Sequence, residues 1–102
     1  ALEGLSRLAE TITRIQEGLN DKLRVAGVLL TMYDPRSNLA REVADEVRKH
    51  FHVYETVIPR NVRLAEAPSY GVPGLVFDPA SKGAQAYLAF AQEMIGRIGA
   101  AV

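Results

Sequence analysis

Residues 23–33, with the sequence LRVAGVLLTMY, decide the fold class of this chain. The run is almost continuously apolar and rich in Val and Leu, which predicts a strand buried on both faces, as the strands of parallel sheets are. Asp34 and Pro35 end the run, and a second β-prone run over residues 53–58 ends at Pro59. We therefore expect two strands of one parallel sheet.

A helix is predicted between the two strands. Either Ser37 or Asn38 can cap its start. Its apolar side chains recur at helical spacing: Leu39, Val43, Val47 and Phe51. Strand, helix and strand in this order form a crossover unit, and right-handed crossovers bring the carboxyl ends of both strands to one edge of the sheet. Open α/β sheets bind their ligands at that edge.

Two further helices are predicted at the ends of the chain. The first is predicted because apolar residues step by three and four along one face. They are Leu2, Leu5, Leu8, Ile12, Ile15 and Leu19. The helix is expected to end near residues 18–21, where Gly and Asn favour the left-handed C-cap conformation. No capping residue precedes this pattern, so we expect the helix to be entered from chain upstream of Ala1. The last helix covers residues 84–98, is capped by Ser81 and is expected to fray over residues 99–102.

The segment before this last helix has no clear period. Residues 60–74, RNVRLAEAPSYGVPG, predict a long irregular loop, and such loops are commonly functional. Residues 75–77 predict a short edge strand. The expected fold is α/β, a parallel sheet flanked by helices, in the order helix, strand, helix, strand, loop, short strand, helix.

The composition limits the kinds of site that the chain can hold. It has 102 residues, 12 Lys and Arg against 12 Asp and Glu, and no cysteine. The absence of thiols excludes disulfide scaffolds, zinc ribbons and cysteine-bound iron–sulfur clusters. His50 and His52 have no further ligand cluster beside them, so no metal site is expected. No apolar run approaches the ~20 residues of a membrane span, so no membrane partner is expected.

No catalytic centre is expected either. The serines stand outside any nucleophile-elbow motif, and Asp34 and Asp78 each precede a proline, as turn residues do. A nucleotide phosphate needs a glycine-rich turn that leads into a helix, with a lysine nearby. Residues 81–84, SKGA, have a single glycine and are interpreted as a helix start. If the fold handles a nucleotide, the half that grips its phosphates is missing from this chain.

Three arginines are predicted at the ligand edge. Arg36 follows the first strand, and Arg60 and Arg63 follow the second. Arginines on rigid loops suit phosphate contacts that carry no sequence preference. The alternative is that they are solvated loop charges balanced by Asp34 and Glu66, and spacing alone favours this alternative.

Two stretches closely resemble the ParA/Soj family of partition ATPases: VLLTMYD at residues 28–34 and TVIPRNVRLAEAPS at residues 56–69. Residues 1–5 and matching positions within residues 78–88 are similar to the same family. The resemblance covers essentially the whole chain but only the C-terminal part of the family's domain. Residues 1–102 are therefore expected to be the C-terminal segment of a ParA-type ATPase domain that lacks the P-loop half.

The resemblance implies a deviant Walker-A P-loop ATPase that uses ATP and Mg and forms an ATP-sandwiched homodimer. It also implies nonspecific binding of double-stranded DNA, stimulation by a ParB-type partner, and a role in chromosome or plasmid partitioning in the cytoplasm, at the nucleoid. The P-loop and the catalytic residues lie upstream in the family. This segment alone is expected to be inactive and to bind no cofactor tightly.

The resemblance also assigns site residues. It implies that adenine contacts are made by Thr31, Met32, Pro59, Arg60 and Asn61. It implies DNA contacts by Arg36 and Arg63. The chain departs from the family at residues 50–54, where relatives usually carry a couple of extra residues before the strand.

Two alternatives stay open from the sequence. One is a stand-alone truncated interaction module that binds partition proteins without ATPase activity, and the other is a small nucleotide-binding enzyme. MinD-like relatives end in a basic amphipathic membrane helix, whereas residues 95–102 contain a single arginine. The exposed sheet edge leads us to expect that the isolated segment self-associates or folds poorly.

Overall fold

The computed structural model describes the backbone of residues 2–101 and the side chains of residues 2–99. Its regular elements are α1 (Leu2–Gly18), β1 (Val28–Tyr33), α2 (Asn38–Arg48), β2 (Val53–Pro59), α3 (Val62–Glu66), α4 (Gly74–Phe77) and α5 (Lys82–Ala101). A 3₁₀ turn, Ala67–Tyr70, lies between α3 and α4. Ala1 and Val102 lie outside the described residues, and so do the upstream entry into α1 and the last position of the expected fraying.

The two strands pair in parallel with α2 as the crossover, which confirms the predicted α/β class. Their register is irregular and is fixed by three pairs: Val28 with Val53, Leu30 with Val57, and Tyr33 with Pro59. Between the first two pairs, β2 therefore has more residues than β1. Between the second and third pairs, β1 has one residue more than β2. Both strands end at one edge, as the crossover predicts.

The start of α2 is fixed by Ser37 rather than Asn38. The Ser37 hydroxyl accepts a hydrogen bond from the Ala40 N–H at 3.1 Å, which satisfies an amide that the first helical turn leaves free. Ala44 and Val47 are buried on the inner face of the helix. Of the four apolar residues that the spacing predicted for this face, Val47 is buried and Val43 is half-buried, whereas Leu39 is 69% exposed and Phe51 lies beyond the end of α2.

Helix α5 packs against β2 and closes the core. Ser81 caps it as predicted, since its hydroxyl accepts from the Ala84 N–H at 3.1 Å. Tyr54 of β2 is buried, and its ring meets Phe90 of α5 edge-on at 5.0 Å between centroids. The buried apolar residues in the described chain are Ala44, Val47, Tyr54, Ile58, Ala67 and Ala84.

A carboxylate joins α5 to the irregular part of β2. Glu93 accepts hydrogen bonds from the backbone N–H groups of Glu55 and Thr56, each at 2.8 Å. These two residues lie within the interval where β2 is longer than β1. Because such residues lose their ladder partners, the carboxylate supplies the acceptors that the sheet does not.

The first strand differs from its prediction in two ways. Residues 23–27 are not part of β1, which begins only at Val28. Thr31 and Met32 are exposed, and the rest of the strand is half-buried rather than buried on both faces. The reason is that only β2 pairs with β1 in the described chain, and α5 packs on β2.

The segment after β2 is largely helical, which corrects two predictions. The expected loop over residues 60–74 contains α3 and the 3₁₀ turn, and the expected edge strand at residues 75–77 is part of α4. Pro73 precedes α4, and its carbonyl accepts from the N–H groups of Val76 and Phe77 at 3.0 and 2.9 Å. A short apolar run suits a strand or a helical turn equally, and no strand lies beside this one to pair with it.

The terminal helices largely follow the sequence pattern. Helix α1 ends at Gly18 as predicted, but none of its described residues is buried. Helix α5 continues to Ala101, so the prediction of fraying is wrong for residues 99–101. None of the described helices has the length and apolar character needed to cross a lipid bilayer.

Candidate functional site

An open cavity of about 480 Å³ lies where the two strands end. It is lined by Thr31, Met32, Ile58, Pro59, Arg60, Asn61, Val62, Leu64, Ala65 and Tyr87. The strand ends form one wall, α3 forms another, and Tyr87 approaches from α5. Its volume falls within the range of small-molecule sites, and its position is the usual ligand edge of an open parallel sheet.

The structure brings all the residues predicted to contact adenine to this one cavity. Pro59 ends β2 and fixes the direction in which the chain leaves the sheet. Asn61 caps α3, with its side-chain oxygen accepting from the Leu64 N–H at 3.2 Å. The cap leaves the amide NH₂ of Asn61 with two donors for other partners. Nothing in the geometry identifies the ligand, so the adenine contacts stay a prediction.

Met32 has an unusual backbone. Its φ of +53° is in the left-handed region, and it is the one non-glycine residue of the described chain with a positive φ. It lies in the interval where β1 carries an extra residue relative to β2. Such a conformation costs a free energy of order 1–3 kcal/mol and is common at binding sites. Met32 is 68% exposed and lines the cavity.

The sequence pattern missed several lining residues. Tyr87 fits the apolar face of an amphipathic helix, where core packing is the usual role, yet it is 40% exposed and lines the cavity. Val62, Leu64 and Ala65 lie on α3, which the sequence predicted to be irregular. A capping asparagine at Asn61 was the available signal for that helix.

The cavity combines apolar walls with a few polar groups. Ile58, Pro59 and Leu64 supply hydrocarbon surface, whereas Thr31 and Arg60 supply a hydroxyl and a guanidinium. Such a lining is typical of small-molecule sites, in which a few polar groups orient a ligand against mainly apolar walls. No phosphate-binding glycine loop is present among residues 2–101, and no group of side chains in that range could hold a metal ion.

Arg36 lies in the turn after β1 and is paired with Asp34. Its Nε and Nη2 atoms donate to the two carboxylate oxygens, each at 3.1 Å. These bonds from Arg36 lower the pKa of Asp34 and raise that of the guanidinium. The Arg36 side chain is nevertheless 89% exposed, so the contact is a surface ion pair of small energy.

Arg63 of α3 is held more firmly. Its Nε donates to Asp78 at 2.9 Å and its Nη1 to Glu66 at 2.8 Å. The guanidinium lies over the Phe77 ring at 4.5 Å, and Phe77 stacks on Tyr70 at 4.8 Å. The hydrogen bond to Asp78 is the main cause that raises the pKa of Arg63. The balancing of Arg36 and Arg63 by Asp34 and Glu66 is therefore present in the structure.

The fold is that of an α/β domain with a cavity at the edge where open parallel sheets bind ligands, and sequence comparison identifies its family. Residues 3–74 match the family described as the CobQ/CobB/MinD/ParA nucleotide binding domain. The chain belongs to this family, in its ParA/Soj branch. This confirms the family resemblance of residues 28–34 and 56–69.

Three relatives illustrate the match. The chain is 54% identical over 99 residues to the chromosome partitioning protein ParA of Caulobacter vibrioides (strain NA1000 / CB15N), covering 95% of this chain and 37% of that protein. It is 55% identical over 96 residues to the sporulation initiation inhibitor protein Soj of Bacillus subtilis, and the match covers 92% of this chain and 38% of that protein. It is 49% identical over 100 residues to the chromosome-partitioning ATPase Soj of Thermus thermophilus, and the match covers 96% of this chain and 40% of that protein. The chain thus spans less than half the length of these curated relatives.

Proposed function

We propose that this chain is the C-terminal segment of a ParA/Soj-type ATPase that partitions chromosomes or plasmids, and that it supplies the wall of the adenine pocket. The observation that carries the proposal is the cavity at the strand ends, which collects Thr31, Met32, Pro59, Arg60 and Asn61. ATP and Mg are the ligands of the whole protein. Residues 1–102 contribute no catalytic group and hold the base rather than the phosphates.

The residues that line the cavity support the proposal that this segment binds the base and the upstream part binds the phosphates. A purine has flat faces that favour hydrocarbon contact and an edge that forms hydrogen bonds. Pro59 and Leu64 offer the first kind of contact, while the free amide donors of Asn61 suit the second. The phosphates need glycine-loop amides and a lysine, which the upstream part of such a domain provides.

A pair of matched variants tests the pocket. Val62 and Val76 are 68% and 67% exposed, but only Val62 lines the cavity. Val62→Trp in the full-length protein fills the cavity and is expected to weaken ATP binding at least about tenfold, a change of about 1.4 kcal/mol. Val76→Trp is expected to leave it unchanged. Equal affinities in both variants, measured by titration with a fluorescent ATP analogue, would contradict the pocket assignment, and an absence of ATP binding in the wild-type protein would favour the interaction-module alternative.

We also propose that the turn after β1 and helix α3 form part of a face that binds double-stranded DNA without sequence preference. The support is the high exposure of Arg36 at 89% and the position of Arg63 after the neighbouring strand. Surface pairs such as Arg36 with Asp34 exchange readily for phosphate contacts, because they are individually weak. The remaining assignments of the whole protein are an ATP-dependent homodimer, a ParB-type partner and a place at the nucleoid in the cytoplasm.

Charge reversal tests this face. Arg36→Glu is expected to weaken DNA binding and flatten its salt dependence. Arg97→Glu is the control. It makes the same change of charge near the C-terminal end of α5, beyond Glu93, whose carboxylate contacts the middle of β2. Fluorescence anisotropy with duplex DNA measures both, and equal losses would show that net charge rather than this face sets the affinity.

A further inference from the structure

The arginines near the strand ends differ in what holds them. Arg36 and Arg63 are bound to carboxylates within the chain. Arg41, in the first turn of α2, is bound only to neutral oxygens. Its Nη1 donates to the Pro35 carbonyl at 2.7 Å, and its Nη2 donates to the side-chain oxygen of Asn38.

This difference decides how much charge each arginine presents. A carboxylate bonded to a guanidinium offsets its positive charge, so the pair attracts a phosphate less strongly than an arginine without such a partner does. The positive charge of Arg41 is not offset by a bonded carboxylate, because no ion pair involving it occurs among the side chains that the structure describes. Two of its N–H groups are used, which leaves three of the five for another acceptor.

The same contacts fix where this charge lies. Pro35 and Asn38 bracket the turn that carries Arg36, so the Arg41 guanidinium is folded back from α2 onto that turn. The side chain is exposed. A fixed guanidinium loses less conformational entropy on binding than a free one. Asp45, four residues after Arg41 on α2, already accepts a hydrogen bond from Arg48 at 3.2 Å.

We propose that Arg41 contacts the phosphodiester backbone of double-stranded DNA beside Arg36. The inference rests on the proposed DNA-binding face and adds to it a residue that the family resemblance does not assign. In this arrangement Arg41 supplies the unneutralised charge of the turn. Arg36 contributes less to the attraction, because Asp34 offsets its charge.

Arg41→Gln and Arg48→Gln provide the test, in full-length protein loaded with ATP. Both remove one positive charge from α2, but Arg48 lies in the last turn and is paired with Asp45. One phosphate contact changes the logarithm of affinity by about 0.9 per decade of salt, so Arg41→Gln is expected to bind duplex DNA about eightfold more weakly at about 0.1 M salt. The slope should fall by about 0.9, whereas Arg48→Gln should keep the wild-type slope.

Arg41→Lys guards against a purely structural effect, because it keeps the charge but loses the planar fork that holds the turn. A wild-type salt slope in this variant supports the phosphate contact. A slope as low as that of Arg41→Gln overturns it, and so do equal effects of the Arg41→Gln and Arg48→Gln variants. If Arg36→Glu still weakens binding in that case, the DNA-binding face stands without Arg41. If neither change matters, both proposals fail.

Discussion

Replacing Gly83 by Ala tests the contact that joins α5 to the cavity wall. Gly83 is buried near the start of α5. A Cβ atom added there would lie 2.5 Å from Leu64 Cγ and 3.1 Å from Asn61 Cβ. Carbon atoms do not approach to the first of these distances, so Leu64 and the cap of α3 must shift.

The expected magnitude follows from two opposing effects. Forcing an extra methyl group into packed surroundings costs about 1–3 kcal/mol, while replacing glycine in a helix gains up to about 1 kcal/mol. Gly96 lies in the same helix with nothing within 4 Å of its added Cβ, so Gly96→Ala has the gain alone. We expect Gly83→Ala to be about 1–3 kcal/mol less stable than Gly96→Ala.

Urea denaturation followed by far-ultraviolet circular dichroism measures this difference, provided that the variants share one m-value. In the double variant with Leu64→Ala, the clash is relieved and the penalty of Gly83→Ala should shrink, which is a coupling between the two sites. Displacement of Asn61 should also weaken ATP binding in Gly83→Ala. Equal stability of the two glycine variants, with unchanged ATP affinity, would refute the proposed packing.

Two further predictions concern single hydrogen-bonded groups. Ser37→Ala removes the cap on the Ala40 N–H and should lower the free energy of unfolding by about 1 kcal/mol, whereas Ser6→Ala on exposed α1 should have almost no effect; urea denaturation compares them. Hydrogen bonds from Thr56 are the main cause that lowers the pKa of Glu93 below its ordinary 4.5. The stability that this carboxylate adds is therefore present above that pH and is lost as the pH falls through the lowered pKa. Glu93→Gln should be less stable than wild type at pH 7 and should lose less stability on acidification, and parallel pH profiles would contradict this.

The unit formed by β1, α2 and β2 was predictable from sequence because its elements have clear local patterns. The apolar run that ends at Tyr33, the serine cap at Ser37 and the second run that ends at Pro59 each agree with the local structure. Together they place both strand ends, and hence the cavity, at one edge of the sheet. The site could be located because the crossover rule converts sequence order into spatial position.

The other parts were not predictable, for physical reasons. Helices α3 and α4 have 5 and 4 residues, too few for a helical period to develop, and prolines and glycines around them favour an irregular loop. The left-handed backbone of Met32 depends on the strand register, which no local pattern specifies. Tyr87 borders the cavity only because α3 packs near the start of α5, and this contact depends on tertiary structure.

Arg63 lies over Phe77, which itself stacks on Tyr70, and this arrangement limits the substitutions that position 63 tolerates. The guanidinium connects α3 to Phe77 and Asp78 at the end of α4, so it stabilises the packing of these helices as well as adding a surface charge. Lysine would preserve the charge but could neither span two carboxylates with fixed geometry nor cover the ring with a flat face. Arg63→Lys therefore loosens residues 62–78 while largely keeping their electrostatic potential, whereas an uncharged residue at this position changes both properties at once.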